Sequence, residues 1–179
     1  MELVALIPAD HAALTTREQP MLFWYLAEPT TARVDVLLNR GLEEKPLIEK
    51  TLAGPFAAGT HALDLAALGV KLEPEVVYKW YVQIVPEPSR RSKDVFSGGT
   101  LQRVTPSPDL SAALAEARPE ERAAIFAQHG IWVDALAEVA AEVAADPQDR
   151  QALREQTALL EQIGLARAAG VPIASQTKP

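Results

Sequence analysis

Three histidines, His11, His61 and His129, and a run of cations at Arg90-Arg91-Ser92-Lys93-Asp94 are the side chains best suited to chemistry in this 179-residue sequence. Imidazole can ligate metals or move protons near neutral pH, but either task needs partners at short, patterned spacing. These histidines are too scattered for that, and no His-Glu-x-x-His or EF-hand pattern accompanies them, so no metal ligand is assigned. His61 sits beside the apolar Leu63–Leu65 run, and His129 falls at a helix end where a cation would suit the dipole, so both read as structural. The neighbouring carboxylates Glu43-Glu44 and Glu120-Glu121 do not converge on a substrate merely by being adjacent; the second pair instead favours a helix start. Gly-x-Ser-x-Gly is absent, and Gly98-Gly99 lacks the Gly-Lys-Ser/Thr that would make a phosphate loop. With no cysteine in the chain, thiolate zinc sites, iron–sulfur clusters and cysteine nucleophiles are excluded. No catalytic residue and no cofactor is expected.

The cationic run is the one binding candidate. Arg90, Arg91 and Lys93 follow Pro86-Glu87-Pro88, which predicts a loop after the strongest strand of the sequence. Three cations in four residues could hold an acidic segment of a partner, or a carbohydrate or lipid headgroup. The same residues also read as a solvated hairpin in which Ser92 and Asp94 fold their own turn.

Composition locates the elements that would position such a loop. Six of nine glycines and eight of fourteen prolines lie before Pro106, whereas 19 of the 74 residues from Pro106 onward are alanine. Gly/Pro punctuation marks strands and turns, and alanine is the best helix former, so the chain divides into a β part, 1–106, and a helical part, 107–179. The β part carries 11 basic against 13 acidic side chains and the helical part 6 against 11. A net charge of −7 argues against nucleic acid as a partner, and no apolar run is long enough to span a membrane.

Seven strands are expected: Glu2–Ile7, Met21–Glu28, Arg33–Leu38, Leu47–Leu52, His61–Leu65, Val77–Val85 and Gly99–Thr105. In the sixth, Tyr78, Trp80, Val82 and Ile84 share one face at period two. With no crossover helices between them, the strands predict an antiparallel β-sandwich of fibronectin- or immunoglobulin-like form. Leu72-x-Pro74-x-x-x-Tyr78-x-Trp80 has the spacing of a tyrosine corner, where the phenol bonds back to upstream backbone.

Proline just inside a helix start recurs at Ser107-Pro108, Arg118-Pro119 and Asp146-Pro147, and the segment reads as three or four helices. The third carries an apolar stripe of Trp132, Leu136, Val139, Ala140 and Val143, while Gly130 and Gly164 close the second and fourth. Beyond Val171-Pro172 the chain reads as a polar, frayed tail. Ala123, Phe126, Gly130, Trp132, Ala135, Val139 and Pro147 follow the spacing of a tetratricopeptide repeat, with Glu142 where a small residue belongs. One such helix pair cannot bury both its faces, so it must lie against the sandwich or receive another chain.

Four stretches together resemble an uncharacterised bacterial family, domain of unknown function 928. They are Leu14-Thr15-Thr16-Arg17-Glu18-Gln19-Pro20-Met21-Leu22-Phe23-Trp24-Tyr25, then Tyr78-Lys79-Trp80, then Arg91-Ser92-Lys93-Asp94-Val95-Phe96-Ser97-Gly98-Gly99 with Gln102-Arg103-Val104, and last Gly130-Ile131-Trp132-Val133-Asp134-Ala135-Leu136. The resemblance implies an exported protein, periplasmic or secreted, although no signal segment follows Met1; it supplies no catalytic residue. The function expected is a non-enzymatic protein-interaction or structural module of the bacterial envelope, with another protein as partner. The alternative is a small hydrolase or carbohydrate-binding module with its site in the cleft between the β and helical parts. Two carboxylates converging in an apolar pocket at that cleft would favour the alternative; a packed junction would favour interaction.

Overall fold

The longest alternating run organises one of two sheets. In β7 (Val77–Val85), Tyr78, Trp80, Val82 and Ile84 are all buried while Val77 stays exposed. Their neighbours in register on β4 (Arg33–Arg40) are Leu38 opposite Trp80, Val36 opposite Val82 and Val34 opposite Ile84, all of them buried. Period-two alternation on both strands thus builds one continuous apolar face. The phenol oxygen of Tyr78 accepts the Glu73 backbone N–H at 2.9 Å, as the corner spacing anticipated.

The computed structural model describes residues 2–41, 43, 45–165, 168 and 173–175. The remaining elements are β1 (Leu3–Ala5), β2 (Ala13–Thr15), β3 (Met21–Leu26), β5 (Ile48–Leu52), β6 (Gly59–Asp64), β8 (Val95–Arg103) and β9 (Ile173–Ser175), with the helices α1 (Pro108–Glu116), α2 (Arg122–Gln128), α3 (Trp132–Ala145) and α4 (Arg150–Gln162). The strands form two sheets, ordered β1-β3-β6-β9 and β2-β8-β7-β4-β5. The fold is therefore α+β, with the helices following eight of the strands.

All seven expected strands exist, and every pairing among them is antiparallel. The two unexpected strands, β2 and β9, both pair in parallel, β2 on β8 and β9 on β6. The fully antiparallel expectation is corrected to that extent. So is the frayed tail: Ile173–Ser175 lie beside Thr60, His61 and Ala62. Val171, Pro172 and residues 176–179 lie outside the described residues. The last expected strand starts earlier than read, at Val95, because Gly98 lies inside it. A Cβ at Gly98 would collide with the Trp80 carbonyl oxygen and the Tyr81 ring, so only glycine allows β8 to pass there.

β3 shows how the helices join this body. Leu22, Trp24 and Leu26 alternate into the core, and Trp24 stacks on its register partner His61 with ring centroids 4.3 Å apart. Phe23, on the opposite face, is buried as well, because α3 lies over it. On α3 the stripe Trp132, Leu136, Val139, Ala140 and Val143 is buried, and so are Val133, Ala135 and Ala137. Burial wider than one stripe means the helix is covered from two sides, by the sheet and by α2 and α4.

Local signals explain the helix ends. Ser107 caps α1 by accepting the Leu110 N–H through Oγ, with Pro108 inside the first turn. Arg118-Pro119 opens a short 3-10 turn, Pro119–Glu121, rather than the α-helix itself; Glu121 folds back to accept the Arg118 N–H. Gly130 and Gly164 terminate α2 and α4 at φ of 72° and 73°, the left-handed region that favours glycine. The fourth start is corrected. Asp149, not Asp146, caps α4 by accepting the Gln151 and Ala152 N–H groups, and Asp146 ends α3.

Candidate functional site: a groove between two helices

Two regions around α3 hold carboxylates of the helical part, and they differ in how those charges are met. The first is the joint with the strands. Asp134 is fully buried one half-turn into α3, and its carboxylate accepts the Thr15 Oγ1–H, the Thr16 Oγ1–H and, at 2.9 Å, the Thr16 backbone N–H. One turn on, Glu138 pairs with Arg17 and, at 3.4 Å, with Arg122 of α2. The Trp132 indole N–H donates to the Leu6 carbonyl at 3.2 Å. Thr15 in turn lies opposite Arg103 in the β2–β8 pairing, and its carbonyl accepts the Val104 N–H. Four polar links thus lock the helix to the strand segment that precedes β3. None was assigned from sequence, although Thr15-Thr16-Arg17 and an acid pair at i and i+4 were visible in it.

The second region is a groove of about 270 Å³ on the far side of α3. Ala123, Ala124, Ala127 and Gln128 of α2 form one wall, and Glu155, Ala158, Leu159 and Gln162 of α4 form the other. Val139, wholly buried, is the floor. Alanine on both walls leaves the space open, since a methyl reaches little way across a helix–helix gap. Helical spacing explains the α4 wall, as 155, 158, 159 and 162 fall on one face.

Beside this groove lies Glu142, one turn beyond Val139. Its burial, then the negative charges of Glu155, Asp149, Glu138 and Glu120, push its carboxyl above the ordinary range. Its Oε1 is buried without a hydrogen-bond partner among the described residues. Deeper on α4, Gln156 is fully buried, and neither of its amide atoms finds a partner there either.

Two further cavities lie where the helices meet the strands. One, of about 230 Å³, is lined by Arg17, Met21, Phe23, Ala62 and alanines of α3. The other, of similar size, runs from Pro8 and His11 to Trp132 and Ile163. No carboxylate is among the described residues lining either.

The cationic run forms the link between β7 and β8, with a 3-10 turn at Arg91–Lys93. Arg90 and Lys93 face Glu87, at 3.7 and 2.8 Å, and Arg91 pairs with Asp94 at 2.7 Å. Asp94 also accepts from the Gln83 amide, which ties the turn to β7. The histidines remain apart. His11 is exposed and bonded to Asp10, His61 is buried with Nε2 2.9 Å from the Ala57 carbonyl, and His129 is the C-cap of α2. Burial lowers the pKa of His61. Glu43 lies 3.7 Å from Arg40, and Glu44 is outside the described residues. No group of three acidic or imidazole side chains suited to a metal ion occurs among the described residues, and no described helix is long and apolar enough to cross a membrane.

No curated protein matches the chain. The model of the family Domain of Unknown Function (DUF928) does, over residues 1–173. The stretches whose spacing resembled that family are the ones that meet at the Asp134 joint and along β2, β7 and β8. The chain belongs to the DUF928 family.

Proposed function

We propose that this protein is a non-enzymatic interaction module of the bacterial envelope, docking another protein in the groove between α2 and α4. The observation that carries the reading is the contrast around α3. Its sheet side is closed by four polar links and packed apolar residues, while its other side is left as an alanine-walled groove with a buried floor. A grooved helical surface is a general way to take up a peptide or helix.

On this reading residues 1–106 are an immunoglobulin- or fibronectin-like sandwich. Support comes from the strand orders, from the switch of the N-terminal segment between sheets at β1 and β2, and from the Tyr78 corner. Residues 107–179 carry a tetratricopeptide-like unit, supported by α2 and α3 and by Gly130 between them, with Ile173–Ser175 returning to the sheet beside β6. The envelope assignment rests on the family resemblance and is checked by cell fractionation. The hydrolase or carbohydrate-module alternative needs converging carboxylates at the strand–helix junction; two cavities there offer Arg17 and His11, and a third, of about 40 Å³, carries the single carboxylate of Glu2. Arg90, Arg91 and Lys93 are a second contact surface on this reading, secondary because each already faces a carboxylate of its own loop.

The test is a photo-crosslinking amino acid placed at Ala158 in the full chain and expressed in the native host, with Phe96, 69% exposed on β8, as the control position. A discrete protein adduct from position 158 and not from position 96 is expected. Identical adduct patterns at the two positions would overturn the assignment of the groove.

A further inference from the structure

We propose that the occupant of the α2–α4 groove is a basic segment of another protein, setting small apolar side chains on Ala127, Val139 and Ala158 and a lysine or arginine against Glu142 and Glu155. This rests on the interaction reading above and adds the chemistry of the partner.

Unmatched negative charge lies beside the apolar floor of this groove. Five carboxylates act on this end of the helices: Glu120, Glu138, Glu142, Asp149 and Glu155. Three have work within the fold. Glu138 is met by Arg17 and Arg122, Glu120 by Arg118, and Asp149 caps α4. Among the described residues, Glu142 and Glu155 are in no ion pair, and Glu155 accepts from the Gln151 amide one turn away. Arg154, although adjacent in sequence, is exposed and does not line the groove.

Every charge raising the Glu142 pKa is negative, and its buried Oε1 has no donor. A half-buried carboxylate held among like charges is an unfavourable state of the free protein, and an incoming ammonium or guanidinium would relieve it with charge-assisted hydrogen bonds. The helical part as a whole, with 6 basic against 11 acidic side chains, would also steer a cation toward this end. An acidic or neutral segment would find the same apolar walls but would leave Glu142 unmatched, so the groove discriminates by charge as well as by shape.

The test uses a random-peptide display library selected on the full chain, followed by binding measurements with the synthetic peptides that emerge. Ala158→Trp, an uncharged block in the α4 wall at an exposed position, identifies the peptides that sit in the groove. Those peptides are expected to carry a net positive charge and at least one Lys or Arg. Glu142→Gln with Glu155→Gln should weaken them about tenfold, and added salt should weaken them further. Circular dichroism melts establish that each variant is folded. Groove-bound peptides that are neutral or acidic, or that bind the double Gln variant as well as the parent, overturn the charge assignment while leaving the interaction reading intact. A selection with no peptide sensitive to Ala158→Trp overturns the interaction reading and this inference together.

Discussion

One helix, α3, meets two environments, and its acidic residues show the difference. Asp134 and Glu138, near its start, face donors supplied by Thr15, Thr16, Arg17 and Arg122. Glu142, near its end, faces carboxylates. A buried charge is tolerated only when it is matched, so the first region is sealed as part of the fold and the second is left in want of a partner. The lesson is that burial alone does not separate a structural acid from a recognition acid. What separates them is whether the chain provides the opposite charge itself.

The strongest way to break this contrast is Asp134→Ala. It removes an acceptor shared by three donors, and leaves the Thr15 hydroxyl hydrogen and the Thr16 amide N–H without their acceptor. The expected loss is about 4 kcal/mol, or on the order of 10 °C in Tm, by urea and thermal unfolding. A loss below about 1 kcal/mol would mean that the joint is incidental to stability.

pH separates the β part, through His61, from the groove, through Glu142, by sign. The imidazole of His61 is held neutral by burial in the folded protein, so its pKa lies below the ordinary 6.5 that the unfolded chain shows. The unfolded state then binds more protons just below pH 6.5. Stability should fall there with falling pH, by at most about 1.4 kcal/mol per pH unit for one proton. His61→Phe, which can keep the stack on Trp24, should flatten that limb in unfolding curves taken across the window. An unchanged slope would place the acid sensitivity elsewhere.

Next in size is the coupling of Arg17 with Glu138, measured by a double-mutant cycle to alanine. Arg17 is partly exposed and Arg122 also reaches Glu138, so about 1 kcal/mol is expected. The smallest effect sharpens the comparison from the other side. Glu142→Gln removes a carboxylate one turn from Glu138, a like-charge i,i+4 pair, and should stabilise the protein by about 0.3 kcal/mol at neutral pH. Because the folded pKa of Glu142 is raised, its cost grows as pH rises from the ordinary glutamate value of 4.5 toward the folded value, and vanishes below 4.5. The gain from Glu142→Gln should therefore be absent in acid, the reverse of the His61 trend. A loss of stability at neutral pH would show that Glu142 is already matched.

Much of this fold was legible because its long elements carry clean periods. The β7 alternation and the α3 stripe each announce a face, and Gly130 and Ser107 announce helix ends by local chemistry. β2 was not legible, since Ala13-Leu14-Thr15 is too short to show a period and is drawn into the sheet by pairing with β8. β9 escaped for the same reason. At the fourth helix the sequence pointed to Asp146 as the cap, but Asp146 accepts the Gln148 N–H in a turn and the helix starts three residues later, at Asp149. Of the site, Glu142 stood out in the sequence as an acid at a small-residue position. The groove itself depends on how far α2 and α4 stand apart, which no local pattern encodes. The cationic loop was visible as a cluster, whereas its pairing with Glu87 was not.

The segment from β1 to β2 touches everything that arrives late. Ala5 donates its N–H to Ser97 Oγ on β8, the Leu6 carbonyl takes the Trp132 indole, and Thr15 reaches Asp134, across sequence separations of 92, 126 and 119 residues. During synthesis this stretch leaves the ribosome more than a hundred residues before the helix that holds it. These contacts close loops of more than ninety residues, and α3 supplies two of the three partners, Trp132 and Asp134.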